Sequence, residues 1–350
     1  MKVLVTGGTG LVGANLVREL LAAGDEVVAL VRETSDLRGL DGLKVHLRQG
    51  DVLDPASVRA AAEGCEVAYH AAAVFSYWGP TAEQLEKVAV DGTRNVLAVA
   101  KSVGVRRVVV TSSSVTLGSS TRTVPRDEAC EFDDPDAPAY YRSKVEQERA
   151  AFELGEALGL EVCAACPAIV LGPHDYRLSP SNAILLRYLE DPLRITFPGG
   201  CNVVHARDVA QGHRLIALHG KPGQRYFLGS ENLEWALLHR TIAELAGVAA
   251  PRMHATRTAA LLTAMAQELG AAVTGRAPKT TRAEANTVGR FYWYRHDRAA
   301  ALGYRPRPAR EAIADALAWL VGCSPHVGRD LAAKLRPSPD VLRLREAFLD

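Results

Sequence analysis

Continuous apolar runs alternate with helix-period segments through the first two thirds of the chain. Residues 3–6, 27–31, 67–73 and 108–111 are short, nearly unbroken apolar runs, which predict strands covered on both faces. Residues 43–48 alternate instead, with Leu43, Val45 and Leu47 against Lys44, His46 and Arg48, which predicts a strand at a sheet edge. Between the strands, 14–23 sets Leu16, Val17, Leu20 and Leu21 on one helical face before Gly24. Longer helices are expected over 82–102 and 139–158, with a further strand over 162–171. This order implies an α/β fold, a doubly wound parallel sheet with right-handed crossovers.

Past Gly172-Pro173 the pattern loosens. Pro180, Pro192, Pro198 and Gly199-Gly200 cut the chain into short pieces suited to a smaller C-terminal substrate lobe. A strand over 226–228 and helices from about Leu233 and Thr256 follow. The expected division is a dinucleotide-binding domain over 1–172 with parts of 201–230, a substrate lobe over 173–200 and 231–322, and a peripheral helical tail over 323–350.

Composition narrows the classes. With 48% hydrophobic and 23% charged residues, the chain is globular, and 350 residues suffice for a large core. Lys plus Arg (41) nearly cancel Asp plus Glu (40), which weighs against a nucleic-acid partner. Six dispersed cysteines and a start that runs from Lys2 straight into a strand, with no secretory signal pattern, lead us to expect a reducing cytoplasm. The apolar stretch 259–265 is too short to span a membrane. It reads as a buried or partner-facing helix, with peripheral membrane contact the lesser alternative.

The residues that carry chemistry fall at strand ends. Thr6-Gly7-Gly8-Thr9-Gly10-Leu11-Val12-Gly13 joins the first strand to the first helix. Gly7 permits a tight turn, Gly10 lets the backbone approach a pyrophosphate, and Gly13 allows close helix–strand packing. Free N–H groups at the helix start then face the phosphates. Arg32, after the second strand, suits the 2′-phosphate of NADP(H). The other reading makes Arg32 a solvated charge and leaves Glu33 to hold the ribose of NAD(H). Asp51, followed by Val52, would accept from the adenine amino group. Ala71, Ala72 and Ala73 after His70 would let the nicotinamide ribose lie against backbone. Thr111-Ser112-Ser113-Ser114 closes the fifth strand, and Tyr140 and Lys144 stand four apart on the next helix. A lysine beside a phenol lowers its pKa and makes it a usable acid–base group, while a serine hydroxyl orients a substrate oxygen.

These motifs, with Asp51-Val-Leu-Asp54 and Val204-His-Ala-Arg-Asp-Val-Ala210, resemble the extended short-chain dehydrogenase/reductase superfamily. Within it the chain is most similar to the dihydroflavonol-4-reductase-like branch, including bacterial proteins called hopanoid-associated sugar epimerases. The resemblance runs to about residue 322. It implies a Rossmann sheet of about seven strands and a catalytic Ser113, Tyr140 and Lys144, with Ser114 the fallback serine. It also implies cofactor contacts that include Thr111, Pro167 and Ile169, and a homodimer through 82–102 and 139–158. Two departures stand out. Ala89 occupies the place of an Asn usual in the family, and 166–173 lacks the Arg and Asn common in sugar-nucleotide epimerases.

Other features read as structural. Cys163-Ala-Ala-Cys166 lies in an apolar strand and reads as core, with no metal set in the chain. His213 and His219 read as surface residues. His205 reads as structural before substrate-binding, and Tyr77 with Trp78 would either lid an apolar substrate or pack in the core. The function expected is an NADP(H)-dependent oxidoreductase acting on a small carbonyl or alcohol substrate. The alternatives are an NAD-dependent sugar-nucleotide epimerase or dehydratase and a non-catalytic NADP-binding regulator.

Overall fold

A computed structural model describes residues 1–134 and 137–348. The chain runs β1 (Lys2–Thr6), α1 (Leu11–Ala22), β2 (Glu26–Val31), β3 (Val45–Gln49), α2 (Pro55–Ala62), β4 (Val67–His70) and α3 (Ala82–Glu86). A π-helical turn, Lys87–Asp91, leads into α4 (Gly92–Ser102), β5 (Arg107–Thr111), α5 (Ala139–Leu158), β6 (Glu161–Pro167) and β7 (Ile169–Leu171). Then come α6 (Pro180–Glu190), β8 (Ile195–Thr196), β9 (Gly200–His205), α7 (Ala206–His219), β10 (Arg225–Leu228), β11 (Glu231–Glu234), α8 (Trp235–Ala246) and β12 (Met253–His254). The last elements are α9 (Arg257–Thr274), α10 (Arg282–Ala285), α11 (Asp297–Ala301), α12 (Ala309–Gly322), α13 (Arg329–Ala332) and α14 (Pro339–Glu346).

Seven strands form one parallel sheet in the order β10-β6-β5-β4-β1-β2-β3. One face buries Val3, Val5, Val27 and Ala29 against Leu16, Val17 and Leu20 of α1 and Val209 and Ile216 of α7. The other buries Leu4, Val28 and Val108 against Val58, Val96, Leu97 and Ala151 of α2, α4 and α5. Apolar side chains on both faces account for the unbroken strand runs. As its alternation implies, β3 is an edge strand, paired with β2 alone, and β10 forms the opposite edge. The order reverses between β1 and β4, and in such sheets that reversal opens a crevice at the C-terminal strand ends.

Three expectations change in detail. The strand expected over 162–171 divides at Ala168, so that β7 joins β9 and β11 in a separate three-stranded sheet. The helix expected over 82–102 is interrupted by the π-helical turn. A helix at 55–62, capped by Asp54 side-chain bonds to the Ala56 and Ser57 N–H groups, was not anticipated. The lobe has its own core of α6, α8 and α12, and Leu335 and Val341 from the C-terminal segment are buried in it.

Three histidines are buried without charge. Burial pushes His70 from 6.5 to about 3, and His213 and His239 to about 4. Between those values and 6.5 the unfolded chain binds protons that the folded chain refuses, so stability falls as the pH drops below 6.5. Each histidine contributes roughly 1.4 kcal/mol per pH unit over that window. Urea midpoints measured from pH 7 to 5 should fall accordingly, and His213→Gln should flatten the slope by about one proton. An unchanged slope in that variant would show that His213 titrates normally.

Candidate active site

The glycine loop is built for close approach. Gly7 has φ +72°, and a Cβ there would sit 2.6 Å from the Ala71 carbonyl carbon and the Ala72 nitrogen. At Gly13 a Cβ would meet Gly7 O at 2.1 Å, so α1 can pack on the loop only through glycine. Gly10 is the α1 N-cap and is open, with only Gly7 O within 4 Å of where its Cβ would be. Its carbonyl starts the helix by accepting from Ala14 N, while the N–H groups of the first turn, from Leu11, Val12 and Gly13, have no intrahelical partner. Thr9 is buried beside them. A negative diphosphate suits this helix start. The cleft therefore fits a dinucleotide.

The sheet brings the other expected residues to the same edge. Ala71, Ala72 and Ala73 leave β4 beside Gly7, so β4 is shorter than the expected strand. Arg32 follows β2 with its side chain exposed, and Asp51 follows β3, where its carboxylate accepts from Leu53 N. Val52 is buried under Gly92, and its carbonyl accepts from Asn95. Pro167 ends β6, and Ile169 opens β7 half-buried.

Helix α5 carries the tyrosine and lysine singled out from the sequence. Tyr140, Lys144, Gln147 and Glu148 repeat at helical spacing, so they point one way, towards the ends of β5 and β6. Burial lifts the Tyr140 phenol above its ordinary pKa, and the Ser113 hydroxyl beside it pulls the other way. The Phe75 ring stacks on Tyr140 at 4.6 Å between centroids. Tyr77 and Tyr141 meet it edge-on, and Tyr292 packs on Tyr141. Burial lowers Lys144 to about 8, opposed by Cys166 and Glu148. Its ammonium donates to Thr111 O at 2.9 Å and Gln147 Oε1 at 2.7 Å. The sequence expectation that Lys144 depresses the phenol is thus corrected: the dominant influence on Tyr140 is desolvation.

Behind Lys144 runs a buried polar chain. Gln147 Nε2 donates to Thr93 Oγ1 at 2.9 Å, and the single Thr93 hydroxyl proton goes to Ala89 O at 2.6 Å. Thr93 must then accept from His70 Nε2, 3.0 Å away. That leaves His70 Nδ1 to accept from the Thr6 hydroxyl at 2.8 Å, and Thr6 Oγ1 accepts from Ala72 N at 3.3 Å. Counting donors assigns the His70 proton to Nε2. The chain ties α5 to the glycine loop. Sequence reasoning missed Gln147, Thr93 and Thr6, although Gln147 lies three residues after Lys144, on the same helical face.

The three consecutive serines point apart. Ser112 donates to Glu148 Oε2 at 2.5 Å, Ser113 faces Tyr140, and Ser114 faces Tyr294. Glu148 also accepts from Thr116 at 3.1 Å and from Arg225 at 2.8 Å, fixing the serine turn between α5 and β10. Thr111 donates to His213 Nε2 at 2.9 Å, since His213 Nδ1 donates to Val209 O. His213 is therefore fully buried, correcting the surface assignment, whereas His219 is exposed. His205 is buried too and donates from Nε2 to Asp315 at 2.7 Å, a bond that suits a structural role. Tyr77 joins the aromatic cluster, while Trp78 is exposed. Cys163 and Cys166 are core residues, as expected.

Removing the Gln147 amide tests the chain. Gln147→Ala leaves the ammonium and Thr93 each short of a partner, which should cost about tenfold or more in turnover. Loss of the acceptor also disfavours the ammonium, so an alkaline limb set by Lys144, expected near 8 in the parent, should move down. Gln147→Glu should move it up. Identical limbs in all three proteins would separate Gln147 from Lys144.

The sequence model of the NAD dependent epimerase/dehydratase family matches residues 3–229. The chain is 33% identical over 323 residues to a putative dihydroflavonol 4-reductase from Synechocystis sp., covering 90% of this chain and 93% of that one. It is 36% identical over 253 residues to sterol demethylase protein B of Methylococcus capsulatus, covering 72% and 77%. The solved structure of gox2253 superposes with a TM-score of 0.80 at 33% identity, over 91% of this chain and 97% of that one. A glycine cradle at the sheet crevice and a match across most of the chain lead to one assignment: the chain belongs to the NAD dependent epimerase/dehydratase family, in its dihydroflavonol-4-reductase-like branch of extended short-chain dehydrogenases/reductases.

Proposed function

We propose that this chain is an NADP(H)-dependent reductase of an apolar ketone or aldehyde, with Ser113, Tyr140 and Lys144 as its catalytic residues. The observation that carries the reading is the placement of Tyr140 against Ser113 with Lys144 one helical turn away, at the crevice beside Gly7. The bound nicotinamide supplies the hydride. Tyr140, kept protonated by burial, gives its proton to the carbonyl oxygen, and Ser113 donates a hydrogen bond that holds that oxygen in place. Lys144, anchored by Thr111 and Gln147, has a third N–H to hold the nicotinamide ribose. Gly7, Thr9, Gly10, Leu11, Val12 and Gly13 would hold the diphosphate, and Arg32 the 2′-phosphate.

The substrate class follows from the walls. Phe75, Tyr77, Tyr141, Tyr292, Leu85 and Val115 surround Tyr140. Rings and aliphatic groups reward an apolar body, and the similar proteins are named for a dihydroflavonol and a sterol. A panel of such carbonyl compounds with NADPH and NADH, followed by absorbance, tests the reading. It should show stoichiometric cofactor oxidation. A protein that turns over substrate without net cofactor consumption would instead be an epimerase.

Two substitutions sharpen it. Tyr140→Phe should lower turnover about a hundredfold or more while cofactor affinity survives, and Tyr141→Phe should retain activity. The reverse outcome would move the acid to Tyr141. Arg32→Ala should weaken NADPH by about ten- to a hundredfold, the worth of a charge-assisted contact, and leave NADH little changed. Fluorescence titration of both cofactors decides it, and equal losses would refute the 2′-phosphate role.

A further inference from the structure

We infer that α9 is a docking helix for an anionic lipid surface. Leu262, Met265, Leu269 and Val273 are 63%, 52%, 70% and 82% exposed, and their spacing of three, four and four residues aligns them as one stripe. Only Ala264 and Ala271 of this 18-residue helix are buried. The helix packs on α10, and its one charged residue past the first turn, Glu268, is turned inward to Arg282 at 2.6 Å. No other exposed apolar residues in the described structure form a comparable row along one helix. A contiguous apolar patch of this kind marks a binding surface.

Charge selects the occupant. Residues 251–285, through the end of α10, carry Arg252, Arg257, Arg276, Lys279 and Arg282 against Glu268 and Glu284, a net +3 in a chain whose total is +1, and Lys279 lies 3.5 Å from Glu190. Arg257 begins the helix, and Arg276 and Lys279 follow its end, so cations flank the stripe on both sides. A second copy pairing antiparallel about a two-fold axis would set the Arg257 end against the Arg276 and Lys279 end. Like charges would meet there, with no acid on the exposed stripe to offset them. A bilayer with anionic headgroups satisfies both features at once: the stripe enters the acyl boundary while the flanking cations stay among the phosphates. No helix among the described residues is long and apolar enough to cross a membrane, so this contact lies on the surface. The segment that follows α9 and α10 carries Tyr292 to the aromatic wall beside Tyr141, which puts the docked element next in sequence to the proposed substrate site.

The test uses the full chain and sedimentation with vesicles. The protein should sediment with vesicles of equal parts phosphatidylcholine and phosphatidylglycerol, remain in solution with phosphatidylcholine alone, and be released by raised salt. Leu262→Glu with Leu269→Glu should weaken partitioning at least about tenfold, and Arg257→Gln or Arg276→Gln about fivefold each. Melting temperature and turnover of a water-soluble carbonyl compound should be unchanged in all of them. Absence of binding to anionic vesicles, or equal binding by the leucine double variant, overturns the inference. So does a dimer in solution that Leu269→Glu dissociates, which would give the stripe to a second copy. The readout is partitioning, so a protein that docks yet reduces no carbonyl compound would sink the reductase reading and leave the docking helix standing.

Discussion

Everything at the crevice depends on a buried row of hydrogen bonds in which each donor has one acceptor available. Lys144, Gln147, Thr93, His70, Thr6 and Ala72 N form it, and the five side chains are buried. A proton added to His70 would turn Nδ1 from acceptor to donor and strand the Thr6 hydroxyl, which is one reason the imidazole stays neutral. Buried polar groups that lose a partner cost more than the bond was worth, so the row stands or falls as a unit. Its two ends are the Lys144 ammonium and the backbone against which Gly7 packs. The glycine loop and Lys144 are thereby held in one frame.

The helices adapt to that row. At Lys87–Asp91 the backbone widens, with Gly92 N reaching back five residues to Lys87 O, and this turn presents Ala89 O to the Thr93 hydroxyl. Ala89 stands where the resembling family has an Asn, and the amide next to Lys144 comes instead from Gln147 on α5. Lys144 is thus held by Gln147 from its own helix and by the Thr111 carbonyl from β5. Glu148, one residue on, clamps Ser112 and Thr116, and so turns Ser113 and no other serine towards the phenol.

How much of this was legible in the sequence follows from how local each signal is. Tyr140 and Lys144 could be read because a single helix sets their spacing, and Gly7 and Gly13 because their turn is bounded by a strand and a helix. The serine could be ranked but not assigned, since three neighbours of one type differ only through Glu148, Tyr140 and Tyr294, brought in from elsewhere. His213 was misread although Val209, Ala210, Ile216 and Ala217 mark a buried face on α7 that includes it. A polar residue on such a face needs a distant partner, here Thr111, which periodicity does not reveal. The division at Ala168 is invisible for a similar reason: two sheets share one apolar run, and only the partner strands β10 and β9 distinguish them.

The electrostatics also bear on the reaction proposed. A phenol raised by burial is protonated throughout the neutral range, the state in which a proton donor must rest. Giving up that proton would leave a phenolate in a desolvated site, and the Ser113 hydroxyl beside it and the Lys144 ammonium one helical turn on, largely charged below about pH 8, are the groups that would offset its charge. The aromatic rings that raise the phenol also shield it from water. The same phenolate would accept the proton in the oxidation of an alcohol, so burial sets the resting protonation state and leaves the direction to the concentrations of the reactants.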